Sequence, residues 1–307
     1  MKRSRVSRRC TLQTRSWFDL VFLLLLGLFL PMPVLAQGSA AAVPTRIVSL
    51  GPLLTENIFL LGAGERLVGN TIYCQRPEAA RSKEKVGSVQ ELSIEKIVSL
   101  KPDLILASNL SPRQQMAQLR ELGLRVEAFG QPASFADICT HLRRLGGLLG
   151  LQERAEAIIA QAQAQVTAVQ QAVSPLPKQK VLLQVGASPL FSSVRTSFTN
   201  DFIELAGGSN IAGEQRSGAM KVEQVLALNP EVIVIAVMGS EHGIGAEEKK
   251  RWLQFATLDA VRDQRVHLLD PDAVCSPSPL TFASTLLIFA RLIHPQAVIQ
   301  LPAPAQP

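Results

Sequence analysis

The residues best suited to bind a metal are two cysteines in predicted loops. Cys74 follows Tyr73, the only tyrosine of the chain, and Cys275 lies in a segment rich in serine and proline. A thiolate is a good ligand for cobalt, iron and other soft metals. Two thiols can instead form a disulfide when their Cα atoms lie within about 7 Å. Three readings of Cys74 and Cys275 are therefore open: metal ligands, a disulfide, or two unrelated small residues.

The histidines do not have the spacing of a metal site. His141, His242, His267 and His294 are scattered along the chain, whereas zinc ligands recur at short intervals. Only His242, beside Glu241 in a glycine-rich loop, is placed to reach a ligand. The sequence also lacks a Gly-x-Ser-x-Gly elbow, a phosphate-binding P-loop and a paired histidine and nucleophile. We therefore expect neither an enzyme nor a built-in cofactor.

The first 36 residues have the three parts of a secretory signal peptide. A basic start precedes an apolar run from Leu20 to Leu30, and Val34-Leu35-Ala36 supplies the small residues that a signal peptidase accepts. We expect cleavage after Ala36, by the Sec or the twin-arginine route, and export to the periplasm. Because Cys10 precedes the apolar run, a lipoprotein anchor is not expected. A leader that stayed uncleaved would instead make the chain a membrane-tethered ligand sensor.

The net positive charge of the chain comes from this leader. The whole chain carries 31 lysines and arginines against 25 acidic residues. The leader holds six of the basic residues and one of the acidic residues, which leaves 25 against 24. A nucleic-acid-binding domain would need a basic face of its own. Nucleic acid is therefore not an expected partner.

From Arg46 onward, short apolar segments alternate with helical patterns. Strands are predicted at Arg46–Leu50, Leu67–Asn70, Leu104–Ala107 and Arg125–Phe129, and helices at Thr55–Leu61, after Ser93 and at Met116–Leu122. Strands that are separated by helices of this length pair in parallel through right-handed crossovers. Residues 46–133 are therefore predicted to form an α/β lobe.

The pattern then changes to helix alone and later restarts. Phe135–Leu149 and Gln152–Val173 contain no strand pattern, and the second segment, rich in alanine, glutamine and glutamate, predicts one helix of about 22 residues, roughly 33 Å long. The strand pattern returns at Val181–Val185. The expected organisation is a leader (1–36), a flexible mature N-terminus (37–45), a first lobe (46–133), a helical linker (134–177), a second lobe (178–296) and a disordered tail (297–307).

The second lobe contains a copy of a segment of the first. Residues Ile94–Leu106 align without a gap to Val222–Val234, at an offset of 128. The glutamate, the leucine, the proline and the acid after the proline all recur, and Leu61–Gly64 resembles Leu205–Gly208. Two matches in the same order indicate duplication. The predicted fold is therefore two Rossmann-like α/β lobes with mainly parallel sheets, joined by one long rigid backbone helix.

Two such lobes create a cleft at the carboxyl ends of their strands, where ligands bind in open α/β sheets. The loops that this rule places at the cleft are Pro52–Thr55, Tyr73–Arg76, Ser88–Gln90, Asn109–Pro112, Ser188–Asn200, Met238–Ile244 and Cys275–Pro279. The candidate ligand-binding residues are Leu54, Thr55, Tyr73, Cys74, Arg76, Ser88, Asn109, Phe191, Arg195, His242, Trp252 and Cys275.

Over residues 46–295 the chain resembles the periplasmic substrate-binding proteins of ABC importers for cobalamin, haem and iron-siderophores. The similarity rests on several motifs together: Arg46–Leu50 with Thr55-Glu56, Leu61–Gly64 with Leu67-Val68-Gly69, Lys85-Val86-Gly87, Leu100–Ile105, Ala206–Ile211 and Leu228–Ile233. The resemblance implies a monomeric carrier that delivers a metal chelate to a permease and ATPase complex. Because a long helix bends little, we expect ligand binding to tilt the lobes by only a few degrees.

In that family a surface glutamate on each lobe contacts the permease. Glu95 and Glu223, which occupy equivalent places in the repeat, resemble that pair. The alternative is that both are solvated acids at the starts of helices, where the helix dipole favours a negative charge.

The resemblance does not settle the cargo. Haem carriers of the family commonly have a tyrosine directly after the Val-Gly that precedes the second helix, and this chain has Ser88 there. Arg76 and Arg195 are candidates to bind an anionic ferric siderophore. Tyr73 is a candidate to contact a corrin ring. So are three rings of the second lobe: Phe191, Phe198 and Trp252. For Phe198 and Trp252 the alternative is packing in the core. Cobalamin or a related corrinoid is the first choice, and a ferric siderophore or haem is the alternative.

Overall fold

The computed structural model describes residues 42–88, 90–238 and 243–302. The first lobe is built on a five-stranded parallel sheet. Its strands lie in the order β3-β2-β1-β4-β5 and are β1 (Ile47–Leu50), β2 (Leu67–Asn70), β3 (Glu84–Lys85), β4 (Leu104–Ala107) and β5 (Val126–Ala128). Every residue of β1 and β4 is buried, as expected for strands in the middle of a sheet that is covered on both faces.

Three helices connect these strands: α1 (Pro52–Leu60), α2 (Ile94–Ser99) and α3 (Arg113–Glu121). Helix α1 begins earlier than predicted because Pro52 occupies its first turn, where a missing N–H costs nothing. Helix α2 begins as predicted, since the Ser93 side chain accepts a hydrogen bond from the Lys96 backbone N–H. Short 3-10 turns at Gly64–Arg66 and Glu78–Ala80 complete the lobe.

The linker consists of two helices, α4 (Phe135–Leu149) and α5 (Gln152–Val173). The Ser134 side chain caps the start of α4, and Gly150 ends it in the left-handed conformation, with φ of 69°. Helix α5 has the 22 residues that the sequence predicts. Its buried residues recur every three or four positions along one stripe: Ala155, Ile158, Ile159, Ala162, Val166, Val169 and Val173.

The second lobe has a five-stranded mixed sheet. Its strands are β6 (Gln179–Gly186), β7 (Phe191–Ser192), β8 (Gly208–Asn210), β9 (Val232–Ile235) and β10 (Val266–Leu268). Strands β10, β9 and β6 are parallel neighbours, β8 pairs in parallel with the first residues of β6, and β7 pairs antiparallel near its end. The helices are α6 (Thr199–Glu204), α7 (Val222–Leu228), α8 (Ile244–Leu253), α9 (Asp259–Arg262), α10 (Pro271–Cys275) and α11 (Pro279–Ile293).

One continuous hydrophobic core joins the two lobes. It contains Ile47 and Leu104 from the first sheet, Val181 and Val232 from the second, and the inner faces of α4, α5 and α11. Helix α5 packs against both α4 and α11. A stack of rings continues this core: the Phe282 ring of α11 lies 4.7 Å from Phe135 of α4 and 4.3 Å from Phe202 of α6, between ring centroids. The lobes are therefore joined by packed side chains as well as by a helix.

The repeat at an offset of 128 has a structural basis. Lys101 and Asn229, which are equivalent in the repeat, both have a positive φ, 48° and 46°. The acid that follows the proline then anchors the first strand of each lobe. Asp103 accepts hydrogen bonds from the Thr45 and Arg46 backbone N–H groups, at 2.7 and 3.0 Å. Glu231 accepts one from the Lys180 backbone N–H at 2.8 Å.

Several expectations concern residues outside the described part of the chain. These are the leader at 1–36, most of the predicted flexible segment at 37–45, the end of the tail beyond residue 302, and His242. Residues 297–302 are described and contain neither helix nor strand. Among the described residues, we find no helix with the length and apolar character needed to span a bilayer.

Candidate functional site

A cavity of about 250 Å³ lies where the loops of both lobes meet, and we call it the uncharged cavity. From the first lobe it is lined by the residues that follow β1, β4 and β5, together with two residues of α4; from the second lobe it is lined by the residues after β9 and at the end of α10. The lining residues are Gly51, Pro52, Leu53, Leu54, Ser108, Asn109, Leu110, Phe129, Gly130, Gln131, Pro132, Ile138, His141, Phe198, Met238, Cys275, Ser276 and Pro277.

Among the residues that the structure describes, no aspartate, glutamate, lysine or arginine lines this cavity. Its two ionisable side chains are held neutral at neutral pH. Burial lowers the pKa of His141, against the opposing effect of Asp137. Burial and two nearby aspartates, Asp272 and Asp270, raise the pKa of Cys275 to about 12. The cavity is therefore suited to an apolar or neutral surface of a ligand.

A second cavity, of about 590 Å³, carries the charges, and we call it the charged cavity. Met238 lines both cavities, so the two are parts of one cleft between the lobes. The residues that line the charged cavity are Ile72, Tyr73, Gln75, Arg76, Arg81, Met238, Asp270, Pro271 and Asp272. The Tyr73 side chain is exposed there, and half of its surface is accessible. Tyr73 is thus placed where the sequence predicts a ligand contact.

Arg76 bridges the two lobes. Its guanidinium lies 2.9 Å from the Glu56 carboxylate and donates to the backbone carbonyls of Asp272, at 2.9 Å, and Ser276, at 3.2 Å. Glu56 in turn accepts a 2.6 Å hydrogen bond from the Thr281 hydroxyl of α11. Both charged side chains are largely buried, 29% exposed for Arg76 and 14% for Glu56. Arg76 therefore holds the lobes together, in addition to lining the charged cavity.

The two cysteines do not form the pair that the sequence allowed. Cys74 is fully buried, and its sulfur lies 3.2 Å from the hydroxyls of both Thr55 and Thr71. Cys275 lines the uncharged cavity, and both thiols are free. Thr55 is also fully buried and donates to the Ser49 hydroxyl at 2.9 Å. Cys74 and Thr55 thus stabilise the loops behind the cleft, and expecting them to contact a ligand was wrong.

Trp252 is the clearest correction in the second lobe. It is 1% exposed, packs in the core of that lobe and donates its indole N–H to the Gln184 side chain at 2.7 Å. A buried tryptophan needs such a partner for its N–H. Core packing, the alternative that the sequence left open, is therefore correct for Trp252. Phe198 is also buried, but it lines the uncharged cavity as well.

Three further candidates lie away from both cavities. The Ser88 hydroxyl accepts hydrogen bonds from Gln90 and Glu91 in its own loop. Arg195 is exposed and forms an ion pair with Glu214. Phe191 is 42% exposed and lines neither cavity. Within the part of the chain that the structure describes, no cluster of three or more His, Cys, Asp or Glu side chains is arranged to hold a metal ion.

The structure brings together Leu54, Asn109 and Cys275 at the uncharged cavity and Tyr73 and Arg76 at the charged one. Sequence reasoning missed the segment Phe129–Pro132, although it follows β5 and thus obeys the same rule on the carboxyl ends of strands. It also missed His141, because a single histidine in a helix gives no spacing signal.

Glu95 and Glu223 lie at the exposed start of equivalent helices. Glu95 is in the first turn of α2 and Glu223 in the first turn of α7. Both side chains are exposed, and neither forms an ion pair with another described residue. The two carboxylates are therefore accessible to a partner.

Comparison with known proteins agrees with this architecture. The model of the periplasmic binding protein family matches residues 47–273. The ABC transporter substrate-binding lipoprotein YvrC of Bacillus subtilis is 28% identical over 244 residues, 77% of this chain and 76% of that protein. The vitamin B12-binding protein of Yersinia pseudotuberculosis is 32% identical over 221 residues, 69% of this chain and 78% of that protein.

A solved structure is similar over most of its length. The crystal structure of a periplasmic heme binding protein from Pseudomonas aeruginosa matches with a TM-score of 0.74 and 27% identity, covering 84% of this chain and 95% of that chain. The chain therefore belongs to the periplasmic binding protein family and is a substrate-binding protein of the ABC importer type, for which a permease and an ATPase are the implied partners.

Proposed function

We propose that this protein captures a metal chelate, a corrinoid such as cobalamin in the first place, and delivers it to the permease of an ABC importer. The observation that carries the proposal is the uncharged cavity between the lobes, lined by apolar side chains and by uncharged polar groups such as those of Asn109 and Gln131. A corrinoid offers a large ring with an apolar body and amide side chains. Because it is larger than the uncharged cavity, it would place part of its apolar body there and extend into the charged cavity, which shares Met238. The vitamin B12-binding relative, at 32% identity, supports the same class.

The other chelates of the family fit this cleft less well. An anionic ferric siderophore requires cationic side chains, but Arg195 is engaged with Glu214 outside both cavities and Arg76 is engaged in the bridge between the lobes. The remaining arginine of the charged cavity, Arg81, shares that cavity with the acidic Asp270 and Asp272. The tyrosine that ligates haem in many carriers is replaced by Ser88, whose hydroxyl serves its own loop. Haem is nevertheless the second candidate, because the similar solved structure is a heme binding protein and Tyr73 is exposed in the charged cavity.

We further propose the domain organisation that follows from this function. The leader, residues 1–36, directs export and is cleaved without leaving a lipid anchor, and the lobes at 46–133 and 178–296 are joined by the linker at 134–177. The protein acts as a monomer and contains no resident cofactor. If the leader stays attached, the alternative is a membrane-tethered ligand sensor. N-terminal sequencing of the exported protein distinguishes the two, because a start at Gln37 excludes the tether.

Glu95 and Glu223 are proposed to contact the permease, one from each lobe. Their accessibility and their equivalent places in the repeat support this role. Replacing both in the double variant Glu95→Lys, Glu223→Lys should abolish uptake of cobalamin by cells that have this chain as their only carrier. The affinity of the purified variant for cobalamin should stay unchanged, because both residues lie outside the cavities. Unchanged uptake would contradict the assignment. The matched control is Glu214→Lys, which reverses an exposed glutamate elsewhere on the second lobe.

A further inference from the structure

His141 lines the uncharged cavity, and the proposed function leaves the chemistry of its imidazole unused. It lies on α4 one turn after Ile138, and both residues line the cavity. The edge of its ring packs against Phe129, with the two ring planes at 82° and the centroids 5.5 Å apart. Since Arg144 covers the same Phe129 ring at 4.4 Å, the aromatic partner of the imidazole is itself fixed.

The imidazole has no hydrogen-bond partner among the described residues. Its Nδ1 atom is sealed from solvent and unpaired. Because Nδ1 has no accessible surface, a ligand in the cavity can approach only Nε2, which is not sealed and has no hydrogen-bond partner among the described residues. A ring nitrogen without a partner is a group that a ligand or a water can complete. Because burial lowers the pKa of His141, the ring is neutral and retains a nitrogen lone pair at neutral pH.

The sulfur-containing side chains of the cavity, Cys275 and Met238, are less suited to bind a metal. The Cys275 thiol, with its pKa raised to about 12, stays protonated and points to the Ala236 carbonyl at 3.8 Å. Met238 offers only a thioether, which is a soft and weak ligand. A bare cation would find no carboxylate among the described residues of this cavity to balance its charge. The imidazole is therefore the strongest metal ligand, and it suits a metal whose charge a chelate already neutralises.

We infer that His141 binds the metal of the cargo directly, so that the cargo is a corrinoid whose cobalt has an exchangeable axial position. This inference rests on the proposed function and adds to it a residue and a requirement on the metal. In the binding step Nε2, with the ring proton on Nδ1, donates its lone pair to the metal, and a bound water leaves with its own electron pair. No electron is transferred and the oxidation state of the metal is unchanged.

Two corrinoid probes test the inference. In aquacobinamide a water occupies an exchangeable axial position, whereas in dicyanocobinamide cyanide blocks both positions. Protein purified after expression of the full chain should bind aquacobinamide with a shift of its visible absorption bands, because imidazole replaces water. His141→Ala should abolish the shift and weaken binding of aquacobinamide at least about tenfold. The same variant should bind dicyanocobinamide within about twofold of the wild-type protein.

Controls separate ligation from folding and from packing. His141→Gln keeps a polar side chain of similar size and should lose the shift as His141→Ala does. His267→Ala removes another imidazole whose pKa burial lowers, but one in β10 outside the cavity, and should keep the shift. Circular dichroism melting confirms that each variant is folded.

The possible results are distinguishable. A wild-type complex whose spectrum equals that of free aquacobinamide overturns the inference, as does an equal loss of affinity for both probes in His141→Ala, because a packing role would weaken both. A wild-type protein that binds neither probe contradicts the proposed corrinoid cargo itself and the inference with it.

Discussion

At the scale of single residues, burial determines how readily the thiols can react. Burial raises the pKa of Cys139 to about 11, and burial together with two aspartates raises that of Cys275 to about 12. Only the thiolate is a nucleophile, so at pH 8 each of these groups has a very small reactive fraction. Cys74 is protected differently, because no part of its side chain reaches solvent.

These thiols should therefore react slowly in the folded protein. With Ellman's reagent at pH 8 we expect less than one equivalent of fast-reacting thiol from Cys74, Cys139 and Cys275, and reaction of all three in guanidinium chloride. Because the pKa of Cys275 is raised, its reactivity should increase steadily as the pH rises toward 12. A cysteine that reacts within seconds at pH 8 would contradict the described burial. Bound cargo should slow Cys275 further, since that side chain lines the cavity.

At the scale of elements, each lobe uses the same anchor for its first strand. Burial opposes ionisation of the Asp103 carboxyl, but hydrogen bonds from Thr45 and Arg46 outweigh it and lower its pKa. Asp103 also donates its own N–H to the Arg46 carbonyl, at 2.9 Å, and Glu231 does the same to the Lys180 carbonyl at 2.8 Å. Asp103 thus connects β4 to its neighbour β1, and Glu231 connects β9 to its neighbour β6.

Removing either anchor should destabilise its lobe to a similar extent. Asp103→Ala and Glu231→Ala should each lower the free energy of unfolding by about 1 to 2 kcal/mol, the range for hydrogen bonds to a partly exposed charged group. Urea denaturation measures the change. Glu214→Ala, which removes an exposed acid paired only with Arg195, is the control and should stay within about 0.5 kcal/mol. Equal stability of all three variants would contradict the anchoring role.

The Asp103 anchor also has a pH dependence. Because the folded-state pKa is lowered, its stabilisation is fully present above the unfolded-state value of about 3.9 and is lost as the pH falls through the lower folded value. The difference in unfolding free energy between wild type and Asp103→Ala should therefore be constant from pH 5 to 7 and shrink below about pH 4.

The elements themselves were largely predictable, and the reasons are local. Gln152–Val173 has the composition and period of one helix, β4 is an uninterrupted apolar run, and β1 is apolar except for Ser49, so all three were predicted within one residue. The repeat was detectable because the glutamate, the leucine, the proline and the anchoring acid recur in fixed order. Most of the loops at the cleft followed from the rule on strand ends.

The orientation of side chains within those loops was not predictable. Thr55 and Leu54 are adjacent, yet Leu54 lines the uncharged cavity and Thr55 hydrogen-bonds behind it. Tyr73 and Cys74 are also adjacent, yet Tyr73 lines the charged cavity and Cys74 is fully buried. Arg76 resembled a ligand contact because its carbonyl partners in the second lobe, those of Asp272 and Ser276, lie 196 and 200 residues further along the chain and give no local signal.

At the scale of the whole molecule, two features hold the lobes in register: the continuous core around α5, and the Arg76 bridge at the cleft. The core is extensive and apolar, so it should keep the lobes close whether or not the bridge is present. Ligand binding should then tilt the lobes by only a few degrees. X-ray scattering profiles with and without cargo should be nearly superimposable.

Breaking the bridge should loosen the loops at the cleft without separating the lobes. In Arg76→Gln we expect faster amide hydrogen exchange in Tyr73–Arg76 and in α10, where its carbonyl partners lie, and unchanged exchange in α5. Arg81→Gln is the matched control, because Arg81 lines the same cavity but donates only to Gln75 in its own lobe. Exchange that is equally unchanged in α10 and in α5 would show that the bridge does not restrain the lobes.

The central claim is that the cleft carries a corrinoid. The most direct test is the equilibrium affinity of the purified protein for cobalamin, haemin and a ferric siderophore, measured by visible absorbance and by competition between them. The uncharged cavity predicts that cobalamin binds most tightly and that neither competitor displaces it at equal concentration. Tight binding of haemin or of the siderophore, with no measurable binding of cobalamin, would contradict the account.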